Sequence, residues 1–334
     1  MKKNSLGKSK LEVTDLCLGT MTFGAESDEQ ASREMLDAFV EAGGNFIDTA
    51  DVYSAGESER IIGRWLSQKP SLRDSLVIAT KARFPVGESA ESGLSANYLQ
   101  KAIDANLQRL QIETIDLFQI HAWDPKVAAE EWFEVIKKSV DAGKIRFFGV
   151  SNLLGWQLQK AIDIAEANSF PRIQTLQPQY SLLAREIEFE LTDVCSDNDI
   201  SILPWGPLGG GWLSGKYKQD QLPQGESRLG ENPKRGVEAF DKRNTPRTFQ
   251  IIAQLESIAQ QRGVTVAEVA IAWLRRKKLV GSVILGARNS SQLVSNLGSA
   301  SIDLTDSEME FLDAVSEPSI PDYPYGMVDQ VGGR

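Results

Sequence analysis

Four side chains whose types could do chemistry close three apolar runs of the sequence. Asp48 and Tyr53 belong to FIDTADVY, Lys81 ends LVIATK, and His121, the single histidine of the chain, follows IDLFQI. A lone histidine is more often a hydrogen-bonded structural residue than a catalyst. What changes the reading is recurrence: three successive strand-like runs each deliver a polar group at the C-terminal end. A tyrosine, with a free pKa of about 10, is a poor acid at neutral pH and needs a neighbour that favours its anion. Lys81 is such a neighbour, since a nearby cation moves an acid down by roughly 1–3 units, and Asp48 would keep that ammonium charged and oriented. His121 could then donate a hydrogen bond to a substrate oxygen. The set suits proton donation to an oxygen that is becoming an alkoxide, as when hydride adds to a carbonyl.

The elements that must position these groups follow from length and pattern. A chain of 334 residues, 41% hydrophobic and 25% charged, can form two ordinary domains or one α/β barrel. Strand-like runs at 16–19, 45–50, 76–81, 115–121, 144–152, 172–180, 200–208 and 282–287 alternate with helical patterns at 28–42, 56–67, 95–110, 127–142, 155–167, 186–196, 246–261, 265–277, 290–299 and 305–315. Residues 1–15 suit a hairpin ahead of the main fold, 209–245 read as a long polar loop, and the Pro- and Gly-rich tail reads as irregular. Eight nearly continuous apolar strands alternating with helices predict a parallel sheet covered on both faces, closed as a (β/α)8 TIM barrel over residues 1–334. Active sites of such barrels sit at the C-terminal strand ends, where Asp48, Tyr53, Lys81 and His121 fall. An open dinucleotide-binding sheet predicts G-x-G-x-x-G after the first strand, and LCLGTMTFG lacks that spacing.

The net charge of -10 argues against nucleic acid or an anionic membrane as partner. Cys17 and Cys195 have no metal-ligand spacing, so no metal site is expected, and neither is a disulfide. The absence of a signal-like or membrane-length apolar run leads to the expectation of a cytoplasmic protein that acts on a small molecule. A homo-oligomer stays open.

The later strands offer groups for a hydride donor. Ser151, Asn152 and Gln177 could read a carboxamide such as that of nicotinamide, and the Trp205 indole could stack on a flat ring. The stretch from Gly210 to Lys216 mimics G-x-x-x-x-G-K, but Tyr217 stands where Mg²⁺ binding needs Ser or Thr, so an ATPase is set aside. Glycine amides with Lys216 would still suit a pyrophosphate. Arg288, just ahead of a helix start, favours NADP over NAD because only NADP carries the 2′-phosphate.

With these residues in view, the chain resembles the aldo-keto reductases along nearly its whole length, through FIDTADVYSAGESERIIG, IATK, DLFQIH, GKIRFFGVSN, TLQPQYSLL, PWGPLGGGWLSGKY and VILGARN. The resemblance implies Tyr53 as general acid, Lys81 and Asp48 tuning it, and His121 orienting the carbonyl. It implies NADP(H) across the barrel mouth, with Ser151, Asn152 and Gln177 at the carboxamide. Trp205 falls where many members stack a tyrosine, with Pro207, Leu208 and Lys216 following. Gly286, Arg288, Gln292 and Asn296 match the adenosine-phosphate end. The implied activity is reduction of aldehydes or ketones to alcohols, or the reverse.

Substrate choice is carried by loops. Phe23, Phe84, Trp123 and Trp212 could form an aromatic wall at the mouth or could equally pack the loops, and Tyr323 and Tyr325 could complete the pocket. Two other readings are weighed: a cofactor-binding regulatory subunit of the channel β-subunit type on the same fold, and Schiff-base chemistry on Lys81.

Overall fold

The computed structural model describes residues 1–88, 91–225, 227–234 and 236–330. A hairpin comes first, β1 (Lys3–Ser5) paired antiparallel with β2 (Glu12–Thr14). Eight parallel strands follow: β3 (Leu16–Gly19), β4 (Phe46–Asp48), β5 (Val77–Ala82), β6 (Ile115–Ile120), β7 (Ile145–Ser151), β8 (Ile173–Gln177), β9 (Ser201–Ile202) and β10 (Val283–Leu285). Their order is β10-β3-β4-β5-β6-β7-β8-β9. The ring shuts where Ile202 bridges to Val280 in parallel and the Ile284 N–H donates to the Pro204 carbonyl at 3.0 Å. The chain is a (β/α)8 barrel.

Alternation along the strands sorts the barrel interior by height. Cys17, Phe46, Val77, Ala79, Leu117, Leu203 and Ile284 form an apolar lower layer together with Leu6, Leu11 and Val13 from the hairpin. The hairpin covers the N-terminal end of the barrel: the Asn4 side chain donates to the Gly281 carbonyl, the Gly7 N–H to Ser201 Oγ and the Thr14 N–H to Asn45 Oδ1. Two residues further along, on the same strand faces, come Asp48 after Phe46, Lys81 after Ala79 and Gln119 after Leu117. The barrel therefore has an apolar, plugged base and a polar top. The outward strand faces pack on helices whose apolar stripes are buried, for example Met35, Leu36 and Phe39 of Glu29–Glu41, and Trp132, Phe133 and Ile136 of Ala129–Asp141.

The differences from the sequence reading have local causes. The run 200–208 yields only a two-residue strand, because Pro204 and Pro207 carry no N–H for a ladder. The helix expected over 186–196 is a 3-10 turn, Glu186–Phe189, followed by Leu191–Asp197. The segment 209–245 is not a bare loop, since it contains helical turns at Gly209–Ser214, Arg228–Glu231 and Phe240–Arg243. The tail is partly regular, with helical turns at Asp322–Gly326 and Met327–Gln330. Among the described residues, no helix is long and apolar enough to cross a membrane, and no group of three or more His, Cys, Asp or Glu side chains could hold a metal ion. Cys17 and Cys195 are free and buried, and burial pushes both thiols up.

Candidate active site

The parallel register sets Asp48 opposite Ala79 and Lys81 opposite Gln119, so neighbouring strands raise these side chains into one layer. Lys81 is fully buried, and its ammonium donates to Asp48 Oδ2 at 2.6 Å, to the Thr49 carbonyl at 2.7 Å and to the Tyr53 hydroxyl at 3.4 Å. All three N–H bonds are thereby engaged. The second Asp48 oxygen accepts from Gln177 at 2.8 Å and from Gln119 at 3.3 Å. Gln119 was not singled out from sequence. The signal was present: it stands two residues before His121 and so shares the inward face.

Tyr53 reaches the ammonium from a loop rather than from a strand. Directly after it, Ser54 and Ala55 adopt left-handed backbone (φ 48° and 54°), a conformation that costs of order 1 kcal/mol for a residue with a Cβ. The Ser54 hydroxyl anchors this turn by donating to the Phe23 carbonyl at 2.7 Å. Burial pushes the Tyr53 phenol above its ordinary value; Lys81 works in the opposite direction without overcoming it. The phenol is thus protonated at neutral pH. Burial disfavours the Lys81 charge, but Asp48 and Tyr53 outweigh it and hold the ammonium above its ordinary range.

His121 lies beside this triad, its ring 6.0 Å from that of Tyr53 and edge-on to Phe84 at 4.9 Å. Burial, helped by the charges of Lys81 and Arg83, holds the imidazole well below its ordinary value, so it is neutral. Its Nδ1 is buried with no hydrogen-bond partner among the described residues.

The groups expected at a cofactor fall into two clusters. In the first, Asn152 donates to the His121 carbonyl at 3.1 Å and to Ser151 Oγ at 3.0 Å, and accepts from the Trp205 indole at 3.0 Å. Ser151 Oγ in turn donates to the Gln177 carbonyl at 2.8 Å. In the second, the Arg288 N–H donates to Gln292 Oε1 at 3.0 Å, and Asn296 reaches the Gly286 carbonyl at 3.5 Å. Gly286 is exposed, with open space where a side chain would stand. The Arg288 guanidinium makes a two-pronged ion pair with Glu231, at 2.5 and 2.8 Å. Between the clusters, Pro207 is buried, Leu208 half-buried and Lys216 exposed, with its ammonium 5.1 Å from the Tyr217 ring. Of the glycines in the stretch from Gly210 to Lys216, Gly211 and Gly215 already bond through their N–H groups to the Leu208 and Trp212 carbonyls.

The aromatic wall is corrected in part. Phe84 and Trp123 are half-buried at the mouth, whereas Phe23 and Trp212 are fully buried core residues. Trp212 donates its indole N–H to the Glu238 carbonyl at 3.1 Å and packs on Tyr217, Phe240 and Phe249, which fixes the 209–245 segment to the barrel. Tyr325 stacks on Phe189 and donates to Glu190, while Tyr323 is exposed.

A barrel with this arrangement at its C-terminal face calls for comparison with known proteins. The sequence model of the aldo/keto reductase family matches residues 15–317. The chain belongs to the aldo/keto reductase family. As an aldo/keto reductase it is 31% identical to the uncharacterized oxidoreductase YrpG of Bacillus subtilis, over 91% of this chain and 92% of that protein. It is 30% identical to protein tas of Escherichia coli, over 95% and 98% of the two chains. A norsolorinic acid reductase of Aspergillus flavus is 30% identical, over 91% of this chain and 78% of the relative. This aldo/keto reductase is an oxidoreductase of a family that typically uses NAD(P)H and acts on small molecules.

Proposed function

We propose that the chain interconverts aldehydes or ketones and alcohols with NADP(H), in the cytoplasm, with Tyr53 as the general acid and base. The observation that carries this reading is the Lys81 ammonium bonded at once to Asp48, the Thr49 carbonyl and the Tyr53 hydroxyl. Such an ammonium does little for the neutral phenol and much for the phenolate, so it favours the state reached as the proton leaves. Asp48 keeps the ammonium charged, and Gln119 and Gln177 hold Asp48 from its other oxygen. Neutral His121 supplies a hydrogen-bonding ring beside Tyr53 that can orient a carbonyl oxygen without competing for the proton.

NADPH supplies the hydride when bound. The residues present fit it: Asn152 bonds to the His121 carbonyl and to Ser151, Gln177 bonds to Asp48, Trp205 offers a half-buried indole, and Arg288 with the open space at Gly286 suits a phosphorylated ribose. The NADP preference rests on Arg288.

The test is consumption of NADPH, then NADH, with 4-nitrobenzaldehyde, comparing the parent with Tyr53→Phe. The parent turns over and prefers NADPH, while the variant loses activity by about a thousandfold or more and still quenches on titration with NADPH. Equal turnover in both proteins would remove Tyr53 from the role. Cofactor binding without turnover of any carbonyl would move the regulatory-subunit reading ahead.

A further inference from the structure

The rim beside His121 carries apolar surface that the proton chemistry leaves without a task. Trp123 stands two residues beyond His121, and Trp156 four residues beyond Asn152, so both lie past the C-terminal ends of β6 and β7 on the catalytic face. Their indoles meet edge to face with centroids 5.9 Å apart. Trp156 is 57% exposed and Leu154 beside it 59% exposed. The helix they open, Gly155–Ala167, buries Leu158, Ala161 and Ile162 against the barrel, so its largest side chain is turned away from the core. Phe84 lies edge-on to His121, and the strand end that leads into Trp156 is tied to the same residue, since the Asn152 amide donates to the His121 carbonyl at 3.1 Å.

We propose that Trp156, backed by Trp123, forms a distal subsite for the second ring of an extended aryl aldehyde or ketone whose carbonyl lies at Tyr53 and His121. The position of the carbonyl rests on the reductase reading; the subsite adds the class of substrate. A small molecule is the occupant the surface fits. Trp156 and Leu154 together offer a few hundred Å² at most, well short of the roughly 800 Å² per partner of a stable protein interface. An indole held by its neighbour is a rigid platform for a flat ring and loses little freedom on stacking. A one-ring carbonyl held at Tyr53 and His121 gains nothing from Trp156. Because the contact is remote from the reacting atoms, it is made equally in the ground and transition states and governs KM rather than kcat.

The experiment compares the parent, Trp156→Ala and Trp156→Phe with benzaldehyde and 4-phenylbenzaldehyde. Steady-state kinetics with NADPH are measured alongside calorimetric titration of the NADP⁺-loaded protein with each aldehyde. In Trp156→Ala, KM and Kd for 4-phenylbenzaldehyde rise about tenfold, kcat stays within twofold and benzaldehyde is unaffected, while Trp156→Phe keeps most of the parent's affinity. Equal shifts for both aldehydes, or none for either, overturn the proposal. Trp156-dependent binding of 4-phenylbenzaldehyde with no reduction of either aldehyde leaves the subsite standing and removes the reductase reading. If Trp156→Ala instead converts a dimer to a monomer in sedimentation while aldehyde binding is unmoved, the surface belongs to a second copy and the subsite is wrong.

Discussion

Lys81 and Asp51 are two buried ionisable groups in opposite circumstances, and each makes a prediction. Lys81 is matched by Asp48, so Lys81→Met strands a buried carboxylate as well as removing the cation beside Tyr53. Breaking such a pair costs about 3–5 kcal/mol, and the variant should show both a lowered melting temperature and a loss of turnover. Loss of turnover with unchanged stability would mean that Asp48 does not depend on Lys81. Asp51 is fully buried, and neither of its oxygens has a hydrogen-bond partner among the described residues. Burial, with Glu59 adding, pushes its carboxyl up to about 8, against the pull of Arg109 and Lys81. The folded protein therefore keeps a proton that the unfolded chain releases near pH 4. The contribution of this group to stability is most favourable below that value and falls by about 1.4 kcal/mol per pH unit as pH rises towards 8. Asp51→Asn removes this slope, so in denaturant melts the variant gains on the parent from pH 5 to pH 8. Parallel curves would exclude Asp51 as the cause.

At the scale of elements, strand alternation does most of the positioning. Phe46-x-Asp48, Ala79-x-Lys81 and Leu117-x-Gln119 each place an apolar side chain low in the barrel and a polar one above it, a pattern legible without coordinates. What was not legible was how far each strand would run, because that depends on whether a neighbour can pair with it: the run 200–208 ends early at its prolines. The hairpin's role was equally hidden. Its pairing is local, but its buried residues meet strands up to about 280 positions away in sequence. Leu6 is fully buried at the barrel base, far from the polar layer, so Leu6→Ala should cost about 2–5 kcal/mol in urea unfolding. Its kcat should stay within twofold; a larger fall would show that the base and the mouth are coupled.

At the scale of the whole molecule, Glu231, from the segment that follows β9, is tied to the loop after β10 by its ion pair with Arg288. A carboxylate on Arg288 is a competitor for any phosphate that the same guanidinium would take. Glu231→Gln should tighten NADPH binding several-fold in fluorescence titration and change NADH binding less, with the gain shrinking at high salt. Equal gains for both cofactors would show that Arg288 does not read the 2′-phosphate. The sequence by itself determined the class of fold, the four groups at Asp48, Tyr53, Lys81 and His121, and the strand ends that carry three of them, because side-chain alternation and apolar runs are local properties of a chain. Only the tertiary structure decided that Lys81 spends its three protons on Asp48, Thr49 and Tyr53, that Gln119 joins them, that Phe23 and Trp212 are core and not wall, and that Arg288 already holds a carboxylate. Those outcomes depend on strand register and barrel closure, which bring together residues separated by tens to hundreds of positions, and no local pattern encodes such distances.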